Sequence, residues 1–163
     1  MGANIELQNE INSFEPTADI LVKTSDLKGI SLNTALVANM IDEMPAFFIA
    51  AALAEGITKV KDAKELRAKE SDRLQAMSEV LQAFGVKSRL NGDGIVINGL
   101  GKDGIFRSSE INSYGDHRIA MASSIASLRA EGETTIIDCH NVNTSFPNFI
   151  DVSREAGINI VET

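Results

Sequence analysis

The stretch that decides the fold is Leu66-Arg67-Ala68-Lys69-Glu70-Ser71-Asp72-Arg73-Leu74, in which charged side chains of both signs precede a periodic apolar run. The apolar residues after Ser71 recur at three- and four-residue spacing, as Leu74, Met77, Val80, Leu81 and Phe84. This spacing predicts an amphipathic helix with Ser71 or Asp72 as its N-cap.

The charged residues of this stretch then lie at the helix N-terminus. Free backbone N–H groups and the positive end of the helix dipole favour anions there, and Lys69 and Arg73 would reinforce a site for phosphate or carboxylate. Glu70 adds a carboxylate beside them. The alternative is a solvated loop with surface ion pairs, because such charge clusters are common and contribute little.

The composition is that of a globular protein with an excess of acidic residues. The 163 residues are 44% hydrophobic and 23% charged, which suits one domain with a buried core. A net charge of -8 argues against nucleic-acid or anionic-membrane binding, so residues that bind anions must be gathered locally. The single Cys139, the lack of a long apolar run and the lack of a signal-peptide pattern predict a cytoplasmic protein without a membrane span.

Apolar periodicity and turn residues predict alternating strands and helices, and thus an α/β fold. Strands are predicted over residues 1–11, 19–25, 58–60, 86–90, 95–97, 134–137 and 158–161. Further helices are predicted to begin at residues 42–45, after Asp116 and at residues 145–147. Asp42 stands at the entrance of the first of these, which is the usual place of an N-cap. The segment around residues 29–32 fits no single element.

Two copies of one longer pattern account for most of the chain. Ala54-Glu55-Gly56 and Ala130-Glu131-Gly132 each end a helix, and six residues after each Gly comes an Asp, Asp62 or Asp138. Helix, strand, helix and strand follow in the same order in both copies. Residues 1–5 resemble the start of the last strand of each copy, so the chain is expected to begin in the middle of a repeat.

The repeat predicts that equivalent loops gather on one face of the domain. Asp42, Lys69–Arg73, Asp116–Arg118 and Asn143–Pro147 would then converge. Three basic side chains beside two or three carboxylates suit a small polyanionic substrate and acid–base chemistry. A purely architectural repeat, with capped helix starts and no site, fits the same spacing.

Four segments of the chain resemble a single enzyme family. They are Ile41-Asp42-Glu43-Met44-Pro45, the stretch at 66–74, Asp116-His117-Arg118-Ile119-Ala120-Met121 and Ser145-Phe146-Pro147. In this order they are similar to the C-terminal part of the 5-enolpyruvylshikimate-3-phosphate synthases, the 3-phosphoshikimate 1-carboxyvinyltransferases of the shikimate pathway. The similarity runs over essentially the whole chain, which corresponds to less than half of a family member.

The resemblance implies a fold and a reaction. The fold is two globular domains, each an inverse α/β barrel of three βαβαββ units, with the active site in the cleft between them. Residues 1–163 would form a single domain whose first unit is truncated, and the N-terminal part of the enzyme would be absent. The reaction moves the enolpyruvyl group of phosphoenolpyruvate to the 5-hydroxyl of shikimate 3-phosphate and releases phosphate, by addition and elimination and without a metal or cofactor. It belongs to chorismate and aromatic amino acid biosynthesis.

The resemblance also assigns roles to individual residues. Asp42 corresponds to the carboxylate that takes the proton of the 5-hydroxyl, for which a raised pKa from desolvation, or close contact, is expected. Glu70 corresponds to the acid that protonates the methylene carbon of phosphoenolpyruvate. Lys69 matches a residue that contacts substrate and the transferred group. Arg73 and Arg118 match the guanidiniums that bind the carboxylate and phosphate of phosphoenolpyruvate.

Positions 117 and 144 are further candidate site positions, ranked below the residues named above. His117 is adjacent to the site in the family, although a His at a helix start is more often structural. The family usually has a Lys directly before Ser/Thr-Phe-Pro, where this chain has Thr144, so one cation is absent from its expected place. Glyphosate, which the family binds at the phosphoenolpyruvate site, is therefore expected to bind weakly or not at all.

The resemblance implies the two substrates and the missing N-terminal domain as partners, and a monomer at full length. The chain alone is expected to be inactive, because the cleft needs the absent domain. The related UDP-N-acetylglucosamine enolpyruvyl transferase is an alternative, against which the motifs at 69–73 and 116–121 argue. A non-catalytic domain on the same scaffold is a different class of function. The joint presence of the acidic and basic site residues argues against it, whereas Thr144 leaves it open.

Overall fold

The computed structural model describes residues 1–162, and this part of the chain contains nine strands and six α-helices. The strands are β1 (Asn4–Ile11), β2 (Thr17–Lys23), β3 (Ile57–Val60), β4 (Lys87–Asn91), β5 (Gly94–Asn98), β6 (Phe106–Arg107), β7 (Glu110–Asn112), β8 (Ala130–Glu131) and β9 (Thr135–Ile137). The helices are α1 (Thr34–Val37), α2 (Met44–Ala52), α3 (Arg73–Ala83), α4 (His117–Ser127), α5 (Val142–Ser145) and α6 (Phe149–Glu155). The predicted α/β character is confirmed.

The strands form four small sheets within residues 1–162, and none of the four closes into a barrel. β1 and β2 make an antiparallel hairpin, and β5 lies between β3 and β4 in an antiparallel sheet. The pairs β6–β8 and β7–β9 are parallel. Asn91 pairs with Gly94 across the turn from β4 to β5, so the strands predicted over residues 86–90 and 95–97 form a hairpin.

The segment that fits no element in the sequence runs parallel to β3. The N–H of Gly29 donates to the carbonyl of Glu55 at 2.8 Å, and the N–H of Leu32 donates to the carbonyl of Lys59 at 2.9 Å. A Cβ on Gly29 would lie 2.6 Å from the backbone of Ile57, so this close approach requires glycine. Helix α2 therefore connects two parallel segments, as α4 connects β6 and β7 to β8 and β9.

The internal repeat is visible in the backbone. Gly56 and Gly132 have φ of 92° and 95°, and Asp62 and Asp138 have φ of 55° and 63°. Positive φ is uncommon outside glycine, so its recurrence at matched aspartates marks equivalent turns. Each turn follows a strand and precedes the loop to the next helix, so the two copies present these loops in the same way.

The core lies between helices α2, α3 and α4 and the sheet that contains β5. All five apolar residues of the predicted α3 stripe are buried, which confirms the amphipathic helix. The Phe84 ring stacks on that of Phe106 with centroids 5.1 Å apart. Most of α2 is buried, as its apolar sequence predicts. Of the helices in residues 1–162, none has the length and apolar composition that crossing a bilayer requires.

Near the C-terminus, the predicted last helix is present but begins two residues after Pro147, at Phe149, and the predicted last strand is wrong. Pro147 does not start a helix but separates α5 from α6, because a proline disfavours helical geometry in the residue before it, and Phe146 has φ -139° and ψ 80°. Residues 158–161 are not a strand in the described chain. Their backbone bonds are local, with Ile158 donating to Ser153 and Ile160 to Ile158, and no neighbouring strand among residues 1–162 pairs with them.

Candidate active site

At the start of α3, one arginine side chain points into the interior of the protein. The Asp72 side chain is the N-cap and accepts a hydrogen bond from the N–H of Gln75 at 3.0 Å. Asp72 also accepts from Arg67 Nη1 at 2.7 Å. Arg73 follows as the first residue of α3, and its side chain is fully buried. The charged stretch is therefore divided between a solvent-facing cap and an inward-facing guanidinium.

Three carboxylates surround the guanidinium of Arg73. Nε donates to Asp116 Oδ2 at 2.7 Å, Nη1 to Asp42 Oδ1 at 2.8 Å and Nη2 to Glu70 Oε2 at 2.5 Å. Burial of a charge is costly unless it is paired, so these contacts account for a buried arginine. Burial works against the charged form, yet the hydrogen bonds to Asp116 and Asp42 outweigh it and raise the pKa of Arg73.

Asp116 is the inner partner and is itself fully buried. It caps α4 by accepting from the N–H of Arg118 at 3.0 Å, and it accepts from Ser71 Oγ at 3.1 Å. One carboxylate thus joins the starts of α3 and α4. The sequence predicted that a helix begins after Asp116 but missed the ion pair of Asp116 with Arg73. The repeat could have indicated it, because Asp116 occupies the same place before α4 as Asp42 does before α2.

Asp42 is the outer partner and is not an N-cap. Glu43 occupies the N-cap position of α2 without a side-chain cap bond, which leaves the Asp42 carboxylate free to face cations. Lys69 Nζ lies 3.6 Å and Arg118 Nη2 3.8 Å from its oxygens, and Arg118 Nη1 donates to its backbone carbonyl at 2.8 Å. Together these side chains form what we call the Arg73 cluster: Asp42, Lys69, Glu70, Arg73, Asp116 and Arg118.

Of the two alternatives expected for Asp42, a raised pKa or close contact, the raised pKa is wrong. The hydrogen bond from Arg73 holds the pKa of Asp42 below its ordinary value of 3.8, burial opposes this only in part, and Arg118 and Lys69 lower it further. The side chain is 45% exposed, so the apolar helix behind it desolvates it little. Asp42 is therefore ionised at neutral pH, and of the two conditions expected for a base at this position, this environment leaves only close contact.

The pKa of Asp42 predicts an acid-dependent loss of stability. A carboxyl whose pKa is lower in the folded chain than in the unfolded chain stabilises the fold at pH values above its pKa in the unfolded chain. This stabilisation is lost as the pH falls through its pKa in the folded chain. Urea unfolding should therefore show stability falling more steeply below about pH 4 in the parent chain than in Asp42→Asn. Parallel pH profiles for the two proteins would contradict the ion pairs of Asp42.

The structure brings together three of the four loops that the repeat predicts to converge. Asp42, Lys69–Arg73 and Asp116–Arg118 meet through the contacts of the Arg73 cluster. His117 is the partly buried first residue of α4, and Thr144 is exposed in α5; neither belongs to the cluster. Asn141 Nδ2, in the segment directly before α5, donates to the carbonyl of Gly115 in the turn before α4 at 2.7 Å. Convergence of residues 143–147 stays a prediction.

The outer edge of the Arg73 cluster is open. The side chains of Asp42 and Glu70 are both nearly half exposed, at 45% and 47%, whereas Arg73 and Asp116 are enclosed. A cavity of about 210 Å³ lies next to the cluster between α2 and α4 and reaches Asp42 and Arg118. Within residues 1–162, no group of three His, Cys, Asp or Glu is placed to hold a metal ion. Solvent-accessible carboxylates therefore lie beside cationic side chains, and these cations suit the binding of a small anion.

Comparisons with known proteins agree with the four-segment resemblance. Residues 1–152 match the family model described as EPSP synthase (3-phosphoshikimate 1-carboxyvinyltransferase). The 3-phosphoshikimate 1-carboxyvinyltransferases of Hydrogenovibrio crunogenus and Methylococcus capsulatus are 50% and 48% identical to 98% of this chain, which spans 36% of each. A solved structure of EPSP synthase from Acinetobacter baumannii matches 96% of the chain with a TM-score of 0.91 and 45% identity, again over 36% of that protein. The chain therefore belongs to the EPSP synthase family.

Proposed function

We propose that this chain is part of a 3-phosphoshikimate 1-carboxyvinyltransferase that transfers the enolpyruvyl group of phosphoenolpyruvate to shikimate 3-phosphate. Residues 1–163 form its C-terminal domain, and the N-terminal part supplies the other wall of the cleft. The full-length enzyme is a cytoplasmic monomer. The observation that carries the proposal is that Asp42 and Glu70, the expected base and acid, share one buried guanidinium while remaining half exposed.

Binding of phosphoenolpyruvate takes place on the outer edge of the Arg73 cluster. Arg73 is held on its inner edge by Asp116, so an incoming carboxylate or phosphate takes over the N–H groups now bonded to Asp42 and Glu70. Arg118 and Lys69 complete the cationic surroundings. A planar guanidinium binds such groups in bidentate fashion, which fixes the ligand's orientation as well as its charge.

The chemical steps then follow from the two released carboxylates. Asp42 accepts the proton of the 5-hydroxyl as that oxygen bonds to C2 of phosphoenolpyruvate. Glu70, which acts in its carboxylic acid form, gives its proton to the methylene carbon, which becomes a methyl group. The resulting tetrahedral intermediate loses phosphate with the electron pair of its C–O bond. Return of a methyl proton to Glu70 restores the double bond, and the proton held by Asp42 passes to the released phosphate, so both side chains regain their starting protonation states.

A chimera tests this proposal with the protein in its expected context. This chain would replace the matched 162-residue segment of the Hydrogenovibrio crunogenus relative. Phosphate release from phosphoenolpyruvate should then require shikimate 3-phosphate, and the 163-residue chain alone should release none because most of the cleft is absent.

Two results would contradict these expectations. Turnover by the 163-residue chain alone would show that the missing part is dispensable. A folded chimera that binds neither substrate would favour a non-catalytic domain, and Thr144 would then be the first position to examine, because a hydroxyl there replaces the family's usual cation.

A further inference from the structure

Tyr114 has a backbone conformation that its side chain disfavours. Its φ is 54°, and Gly115 follows with a φ of 66°, so two left-handed residues in succession lead to Asp116. This conformation is common for glycine but strained for a bulky residue such as tyrosine. Such strain persists only where the surrounding structure fixes the residue, and it clusters at functional sites. The contacts that hold Tyr114 therefore bear on Asp116, the inner partner of Arg73.

The turn at residues 113–116 is anchored to β9 on one side. The fully buried Ser113 donates its N–H to the carbonyl of Ile137 at 3.1 Å and its hydroxyl to the carbonyl of Asp138 at 2.6 Å. The N–H of Asp116 donates to the Ser113 carbonyl at 2.9 Å. These bonds fix where the turn begins, and its position against α3 depends on side chains.

Two side chains of the turn bond to α3. Asp116 accepts from Arg73, and the Tyr114 hydroxyl donates to Glu79 Oε2. Gln75 Nε2 donates to the other oxygen of the Glu79 carboxylate at 2.7 Å. Glu79 lies six residues after Arg73, which is about 9 Å along the helix axis. One contact would fix only a distance, whereas two separated contacts fix the orientation of α3 against the turn.

The contact of Tyr114 with Glu79 bridges a gap in the packing. A cavity of about 200 Å³ lies between α3 and β7, and both side chains line it. Tyr114 is 46% exposed, so apolar packing contributes little to its position. The pKa of Tyr114 is raised, chiefly because the hydrogen bond to Glu79 stabilises the protonated phenol. The hydroxyl group, rather than burial of the ring, therefore holds this side chain against α3.

We propose that Tyr114 is a positioning residue for anion binding. Through Glu79 it holds the turn before α4 against α3, so that Asp116 takes the inner edge of the Arg73 guanidinium and the outer edge faces the ligand. Tyr114 acts through Asp116 and Arg73, not by contact with the ligand. The identity of the ligand as phosphoenolpyruvate rests on the proposed function, whereas the effect of Tyr114 on Arg73 does not.

The Nε–H of Arg73 reports this effect without any substrate. It donates to the buried Asp116 at 2.7 Å and is therefore protected from exchange with solvent. In the 163-residue chain, Tyr114→Phe should make this proton exchange at least about threefold faster in proton–nitrogen correlation spectra. Gln75→Ala removes the other partner of Glu79 and should leave the exchange rate unchanged. Equal exchange rates in the parent and Tyr114→Phe chains would overturn the proposal.

Kinetics of the Hydrogenovibrio crunogenus chimera described above test the same role in ligand binding. Tyr114→Phe should raise the KM for phosphoenolpyruvate about two- to tenfold and leave kcat nearly unchanged, because ligand and transition state lose the same orientation of Arg73. Glu79→Ala should have the same effect, and the double variant should have no larger one. Glu79→Gln keeps an oxygen that accepts from the Tyr114 hydroxyl and should match the parent. Additive effects of Tyr114→Phe and Glu79→Ala, or a lower kcat at unchanged KM, would contradict the positioning role.

Asparagine at position 114 separates the hydroxyl group from the backbone conformation. Asparagine adopts left-handed backbone more readily than tyrosine, but its side chain is too short to reach Glu79. Tyr114→Asn should therefore raise KM as Tyr114→Phe does, with a Tm at or above that of Tyr114→Phe. A KM equal to that of the parent would show that the backbone alone positions Asp116, which would overturn the proposal.

The outcomes separate this proposal from the proposed function. Faster exchange of the Arg73 Nε–H in Tyr114→Phe, together with a chimera that releases no phosphate, keeps the role of Tyr114 and contradicts the reaction. Unchanged exchange, together with an active chimera whose KM is insensitive to Tyr114→Phe, keeps the reaction and contradicts the role of Tyr114.

Discussion

Replacement of Arg73 by alanine is expected to lower the free energy of unfolding of this chain by about 3–5 kcal/mol, the cost of breaking a buried ion pair by removing one partner. The loss follows because Asp116 would remain fully buried without its cation, and because the starts of α3 and α4 would lose the contact that joins them. Urea denaturation followed by circular dichroism at neutral pH measures the change.

Two further variants make this result interpretable. Arg67→Ala removes an arginine six residues away whose ion pair with Asp72 is about one third exposed to solvent. It should lower the free energy of unfolding by less than about 1 kcal/mol. Arg73→Ala combined with Asp116→Ala should be less destabilising than the sum of the two single changes, because no unpaired buried charge remains. Similar losses for Arg67→Ala and Arg73→Ala would contradict the burial of the Arg73 cluster.

Glutamine in place of Glu70 is expected to lower kcat of the chimera by about 10²–10⁴-fold, the usual contribution of a general acid. Glutamine keeps the size of the side chain and an oxygen that accepts from Arg73 Nη2, so the KM for phosphoenolpyruvate should change little. Initial rates of phosphate release at saturating substrates measure kcat, and this prediction depends on the proposed function.

The control for Glu70→Gln lies on α3, the helix that follows Glu70. Glu79 accepts from Gln75 Nε2 at 2.7 Å and from the Tyr114 hydroxyl, outside the Arg73 cluster, so Glu79→Gln should leave kcat almost unchanged. A near-normal kcat for Glu70→Gln would reduce Glu70 to an ion-pair partner of Arg73. Equal losses in both variants would instead trace the effect to the folding of α3.

Local sequence predicts the elements of this fold where the signal is contained within the element. Helix α3 has its N-cap and its apolar stripe within residues 72–84; the stripe is found as predicted, and Asp72 is the cap of the two candidates, Ser71 and Asp72. The parallel segment at 27–32 was missed because its pairing with β3 is decided by residues about thirty positions away. Residues 158–161 have the composition of a strand, but a strand also needs a partner, which this stretch lacks among the described residues.

For the candidate site, too, the sequence predicts what lies in local motifs and misses what depends on distant residues. Helix-start motifs identify Asp42, Glu70, Arg73 and Arg118 as charged groups near one another, and the structure brings them into contact. The sequence does not reveal that Arg73 points inward to Asp116, because that pair spans 43 positions and depends on how α3 packs against α4. The direction of the pKa change of Asp42 was mispredicted for the same reason, since apolar neighbours in sequence proved less important than cations in space.

The balance of charge within the Arg73 cluster has a kinetic consequence. Three cationic side chains, Lys69, Arg73 and Arg118, are matched by three anionic ones, Asp42, Glu70 and Asp116, on a protein whose net charge is -8. Such a site generates little long-range attraction for an anion, so electrostatic steering contributes weakly to the encounter with ligand. Association rates of an anionic ligand should accordingly depend little on ionic strength, and selectivity should reside in residence time, after short-range contacts have formed.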